Sequence, residues 1–245
     1  MNNYKLVIAY DGTRYNGWQR QGNTENTIQG KLNEIIGKYL GEEVDVIGSG
    51  RTDKGVHAKM QVVSFKTKKS IDIEEFVTDI NRYLPQDICI MEASPADGRF
   101  HARLNAVSKT YEYIIDNGEV PDIFFRKYSY RVEEHLDTDA MRKAAELLIG
   151  THDFKSFCGN KHLKKSSVRT ITDIRLIETT GKVYIYFEGD GFLQNMVRIM
   201  TGTLIEVGTG KRDYKSITDI LEAKDREKAG FMAPPEGLSL TKVEY

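Results

Sequence analysis

Across the N-terminal part of the chain the apolar spacing switches between strand and helix periods in the order β-α-β-β-α-β, and few folds accept that order. Tyr4 to Tyr10 is apolar and β-prone, and Ile28, Leu32, Ile35, Ile36 and Tyr39 recur at helical spacing until Gly41 closes the helix. Val44 to Ile47 reads as a short strand, and Met60 to Thr67 as a half-buried alternating one. Asp72 is placed to cap a helix carrying Phe76, Ile80 and Tyr83, which Pro85 stops, and Ile88 to Ala93 reads as a strand. This is the ferredoxin-like plan, which RNA-recognition folds share.

The second half follows the plan less cleanly. Thr110 to Ile115 predicts a strand, Asp137 to Ile149 a helix with Met141, Ala145 and Leu148 inward, and Val168 to Ile177 with Lys182 to Glu188 an antiparallel pair. Leu193 to Val207 and Asp213 to Ala223 predict helices, and Leu238 to Val243 a closing strand. The expected architecture is therefore α+β: two ferredoxin-like halves with mainly antiparallel sheets side by side. Residues 1–105 would carry a catalytic Asp loop and residues 106–245 the insertions. A cleft is expected where the halves join, since pockets favour such junctions.

Charge narrows the class of partner. The 245 residues hold 35 Lys+Arg against 36 Asp+Glu, a net charge of -1, so the chain as a whole is no histone-like binder and any basic surface must be local. Local runs without a carboxylate exist. Lys155, Lys161, Lys164, Lys165 and Arg169 lie in one; Arg99, Arg103 and Lys109 in a second; Lys54, Lys59, Lys66, Lys68 and Lys69 in a third. Such runs are often plain solvated surface, but three beside candidate site residues point to a polyanion. Cys89 and Cys158 are too few for a disulfide framework and have no metal-ligand spacing. With no signal-like start and no membrane-length apolar run, a cytoplasmic protein is expected.

Chemistry is sought first in Gly48-Ser49-Gly50-Arg51-Thr52-Asp53-Lys54-Gly55-Val56-His57-Ala58. Its glycines let the backbone approach a ligand closely, and a short Asp side chain has little freedom to leave the place the loop defines. The plain alternative is a tight turn in which Asp53 bonds its own backbone. Lys109-Thr110-Tyr111-Glu112-Tyr113 puts two aromatics on one strand face, beside the basic Phe100-His101-Ala102-Arg103, as a stacked base would require; a core tyrosine is the alternative. Phe192-Leu193-Gln194-Asn195-Met196-Val197-Arg198 opens an apolar helix in which Arg198 is the one cation between Gly191 and Ile205. Such an arginine snorkels to water or pairs with a buried carboxylate, and Asp53 is the expected partner, held ionised below its usual pKa of about 3.9. Gly48-x-Gly50 does not continue as a dinucleotide fingerprint, and Lys54-Gly55 reverses the order a phosphate-binding P-loop needs. The five histidines are scattered without ligand spacing, so no metal is expected, and His57 and His101 read as structural hydrogen-bonding groups.

With these residues the chain resembles the bacterial tRNA pseudouridine synthase A family, which isomerises uridines at tRNA positions 38, 39 and 40 in the anticodon stem-loop. The likeness runs nearly end to end: Asp11-Gly12-Thr13 with Gly17-Trp18-Gln19-Arg20-Gln21, the Gly50-to-Ala58 block, Phe100-His101-Ala102-Arg103, Lys109-Thr110-Tyr111-x-Tyr113, Gly150-Thr151-His152-Asp153-Phe154, Phe192-to-Arg198 and Gly237-Leu238-x-Leu240. The resemblance implies that Asp53 is the nucleophile, that Tyr111 stacks on the target base with Leu238 also in the substrate site, that Arg198 pairs with Asp53, and that Arg51 holds RNA and aids base flipping. It also implies tRNA as partner, a homodimer, no cofactor, no metal and no membrane. Arg14, Arg20, Lys54, His57, Arg103, Lys161, Lys164, Lys165 and Arg169 are the expected RNA contacts. Lys54 stands where Ala is common, Gln194 where Arg is frequent and Leu104 where Phe is usual. The competing expectations are a non-catalytic tandem RNA-binding module, which would not need Asp53, and a small-nucleotide binder, which the missing P-loop disfavours.

Overall fold

A computed structural model describes residues 1–22 and 24–245 as two compact units, one of Met1–Val107 with Ser239–Tyr245 and one of Ser108–Leu238. The first unit contains β1 (Asn2–Tyr10), α1 (Ile28–Leu40), β2 (Ile47–Gly48), β3 (His57–Thr67), α2 (Ile73–Tyr83) and β4 (Ile88–Ala96). Strand β1 lies between β3 and β4, antiparallel to both, with Leu6 opposite Val63 and Ala93. Helix α1 starts where the Thr27 side chain accepts from the Gly30 amide and stops at Gly41, whose φ of 63° suits a residue without a Cβ. Its buried stripe is Ile28, Leu32, Ile36 and Leu40. Asp72 caps α2 through Glu75 N, which buries Phe76 and Ile80. Tyr83, expected to face inward, is 71% exposed because α2 ends there and turns its last residue to water.

The second unit runs β5 (Ser108–Asp116), β6 (Tyr130–Arg131), α3 (Thr138–Glu146), β7 (Gly150–Asp153), β8 (Val168–Thr179), β9 (Lys182–Gly189), α4 (Met196–Gly208) and α5 (Ser216–Ala223). Its sheet has the order β5-β9-β8-β7, all antiparallel, with β6 added in parallel to β5. Helix α4 is buried nearly all round and packs against α3. The last strand, β10 (Leu238–Glu244), pairs in parallel with β3, Ser239 opposite His57 and Leu240 opposite Ala58. The fold is thus α+β with mainly antiparallel strands, and Ser239–Tyr245, which pattern alone placed in the second half, lie in the first unit.

Three local expectations are corrected. Val44–Val46 is not strand: Val46 N donates to Asn33 Oδ1 and Val46 O accepts from Gln29 Nε2, so α1 side chains take the bonds a ladder would use. Strand β3 does not alternate, because Gln61 to Phe65 are all buried; the polar pair is satisfied by Ser49, Gly50 and Ala102. Helix α4 begins at Met196 rather than Leu193, since Asn195 sits at φ 61° in the left-handed region and breaks the helical path.

Candidate active site

The Asp53 loop is built by close packing between two sequence blocks. Gly12 and Gly17 meet it directly: a Cβ on Gly12 would collide with the Val56 carbonyl, and one on Gly17 would lie 2.7 Å from the Thr52 oxygen. Trp18, 1% exposed, lies against Gly48, where a Cβ would be 2.7 Å from the indole. Burying ~200 Å² of indole at ~25 cal/mol/Å² is worth on the order of 5 kcal/mol, enough to seat the loop firmly. The backbone is tied at the point of interest. Trp18 N donates to Thr52 O at 3.0 Å, Val56 N donates to Asp53 O at 3.1 Å, and Gly55 turns the chain at φ 80°. Tyr10 and Thr52 share a 2.8 Å hydroxyl–hydroxyl bond, and burial pushes the Tyr10 phenol up to about 12, so it stays neutral. Asp53 itself is half-buried.

The loop's cation is aimed by side chains that sequence reading gave no role. Gln29 bonds Val46 O and accepts from Gln19 Nε2 at 2.6 Å, while Gln19 Oε1 accepts from Arg51 Nε at 2.9 Å. Arg51 is therefore exposed yet oriented. Partial burial, and then the like charge of Arg51, lower the pKa of the Arg103 guanidinium. A pair of guanidinium groups suits an anion such as phosphate. Arg20 and Lys54 are exposed. Arg14 is exposed too but holds Asp87, with Nη2 at 2.6 Å. His57 is 4% exposed, its Nδ1 accepting from Gly12 N at 3.0 Å, which places it beneath the loop rather than on its surface.

Tyr111, Arg198 and Leu238 belong to the second unit. Tyr111 stands on β5 opposite Phe187, 8% exposed, and Phe192 meets its ring edge-on with centroids 5.1 Å apart. Arg198 lies in the first turn of α4, 8% exposed, its Nε donating to Ala233 O at 2.7 Å while Ala233 N donates back to Arg198 O at 3.0 Å. Leu238 is 5% exposed at the start of β10. Lys161, Lys164 and Lys165 are exposed between the short 3-10 turn Phe154–Phe157 and β8, and Arg169 is half-buried, with Nη1 donating to Ser166 O and Val168 O. Sequence reasoning quoted Trp18, Gln19 and Phe192 within motifs without seeing what they touch. The spacing of Gly17 before Trp18 was the available signal. The segment Ala229–Pro234 that receives Arg198 carries no periodic pattern at all.

The tRNA pseudouridine synthase family profile matches residues 6–105 and 144–245. A protein of Bacillus sp. (strain KSM-64) named tRNA pseudouridine synthase A is 48% identical over 245 residues, all of both chains. One from Clostridium perfringens named tRNA pseudouridine synthase A 2 is 48% identical over 246 residues, and one from Acetivibrio thermocellus named tRNA pseudouridine synthase A is 46% identical over 245, again with complete coverage. The chain belongs to the tRNA pseudouridine synthases, isomerases that convert uridine to pseudouridine.

Proposed function

We propose that this protein isomerises uridine at one or more of positions 38, 39 and 40 of the tRNA anticodon stem-loop, with Asp53 as nucleophile. The observation that carries the reading is the Asp53 loop: its backbone is fixed on both sides by Trp18 and Val56, and the short acidic side chain projects from a frame that cannot drift. A nucleophile gains most when its position is set in advance. The reaction breaks N1–C1′, turns the detached uracil and joins C5 to C1′; the C5 proton leaves to solvent and N1 takes one up, so product and substrate are isomers. No electron or external group is needed. The uracil must be held throughout, and we assign that work to the Tyr111 face, steadied by Phe192, together with Leu238. Arg198 is assigned to keep Asp53 ionised, as an adjacent guanidinium does.

Extracting a base from a helical stem costs a few kcal/mol, which phosphate contacts offset. Arg51, held by Gln19, supplies the oriented part of that contact, and Arg20, Lys54, Arg103, Lys161, Lys164 and Lys165 the exposed part. We further propose a homodimer working in the cytoplasm. The second unit supports a protein contact, because Val120, Ile123 and Phe124 are 62–82% exposed in one loop, more apolar surface than isolated residues account for. Among the described residues no helix is long and apolar enough to cross a membrane.

The test uses transcript tRNA tritiated at uridine C5, whose label is released only when C5 bonds to C1′. Wild-type protein releases label, and transcripts with each of the three uridines replaced by cytidine in turn identify the position. Asp53→Asn is expected to lose about 10³-fold in release while tRNA affinity stays within about threefold. Undiminished release would reject Asp53 and leave the protein's catalysis to another group.

A further inference from the structure

Helix α4 does not orient Arg198 unaided. The chain between α5 and β10 returns along α4 so closely that a Cβ on Gly202 would collide with the Phe231 carbonyl, and one on Gly230 would lie 2.7 Å from Thr203 Cα. Five attachments hold this segment. Arg226 Nη1 donates to the carbonyls of Ala229 and Gly230, at 3.3 and 2.9 Å. Gly230 N donates to Thr203 Oγ1 at 2.9 Å, and Phe231 N to Glu206 Oε1 at 3.1 Å. Ala233 exchanges two bonds with Arg198, and Pro234 O accepts from Tyr113 Oη at 2.8 Å. Glu206 is itself fixed, since its Oε2 takes Arg212 Nε at 3.0 Å and Nη2 at 2.9 Å.

The bonding at Ala233 sets which edge of the guanidinium is presented. With Nε committed to a carbonyl, a carboxylate that meets Arg198 is met by the Nη pair, in the end-on geometry of a two-bond fork. Lysine carries its three donors on one nitrogen at the end of a flexible stem, so while bonded to Ala233 it offers a carboxylate no planar two-bond fork. We propose that Ala229–Pro234 is a brace that sets the direction of the Arg198 guanidinium, and that Glu206 and Arg226, which clamp the brace without touching Arg198, are positioning residues for the isomerisation. This rests on Arg198 acting in the reaction.

The experiment measures kcat and KM for release of C5 tritium from tRNA by the full-length protein. Glu206→Ala and Arg226→Met are each expected to lower kcat about tenfold with KM unchanged within about twofold. Glu206→Gln, which keeps an oxygen for Phe231 N, is expected to remain within about twofold of wild type. In an Arg198→Lys background the same Ala and Met substitutions are expected to add less than twofold, because the guanidinium they direct is gone. Equal proportional losses in both backgrounds, or a rise in KM that accounts for the loss, would mean general loosening and would overturn the brace. So would unchanged kcat in both clamp variants. Asp53→Asn run alongside separates the failures: an active Asp53→Asn removes the underlying mechanism, whereas an inactive one beside wild-type-like clamp variants removes only the brace.

Discussion

Gly17 shows how much of the site depends on one missing side chain. It holds φ at 91° and faces the Thr52 carbonyl, while its neighbour Trp18 donates the amide that fixes the same carbonyl. Gly17→Ala adds left-handed backbone strain of about 1–2 kcal/mol and a contact only backbone movement can relieve. The expected result is a melting temperature lower by about 3–8 °C in circular dichroism, with at least a tenfold loss of tritium release at unchanged secondary structure. Unchanged release would show that the Thr52–Asp53 backbone tolerates displacement. At this scale the glycine turn after Asp53 and the strand position of Tyr111 were legible, since glycine spacing and strand period are local properties. The Gln29–Gln19–Arg51 chain was not, because which polar side chains meet is decided by packing between segments far apart in sequence.

Among the elements, the loop between β5 and β6 carries its own pH dependence. Asp122 caps it by accepting from the amides of Phe124 and Phe125 and pairs with Lys182 Nζ at 2.6 Å, and Lys182 in turn lies over the Phe125 ring. The bond to Lys182 holds the Asp122 carboxyl below its usual range. A carboxylate depressed in the folded state stabilises fully above the unfolded pKa, near 3.9, and loses that contribution as pH falls through the folded value. Urea denaturation should therefore show Asp122→Asn less stable than wild type at about pH 6, the difference closing as pH falls below the ordinary carboxylate range; a constant difference would reject the pair as its source. Most elements were legible because α1, α2 and β8–β9 satisfy themselves by period, cap and register. The partner of β10 was not, since parallel pairing with a strand nearly the whole chain away leaves no local mark. Val44–Val46 misled for the opposite reason, having strand composition but side-chain partners.

For the molecule as a whole, a net charge of -1 forces tRNA attraction to come from placed cations rather than from overall charge. Lys164 and Lys165 stand exposed in the segment preceding β8. Replacing both with Gln is expected to weaken tRNA binding at low salt and reduce the slope of log affinity against log salt by about 1–2, with kcat at saturating tRNA unchanged. An unaltered slope would remove them from the RNA surface. Two halves of similar pattern could be read from period alone, whereas their charges speak only of what each surface can meet. One further property follows from the indole under the acidic loop: Trp18 is the chain's single tryptophan. Its ultraviolet emission needs no label and no engineered partner, and every photon reports from beneath the same few residues that present Asp53.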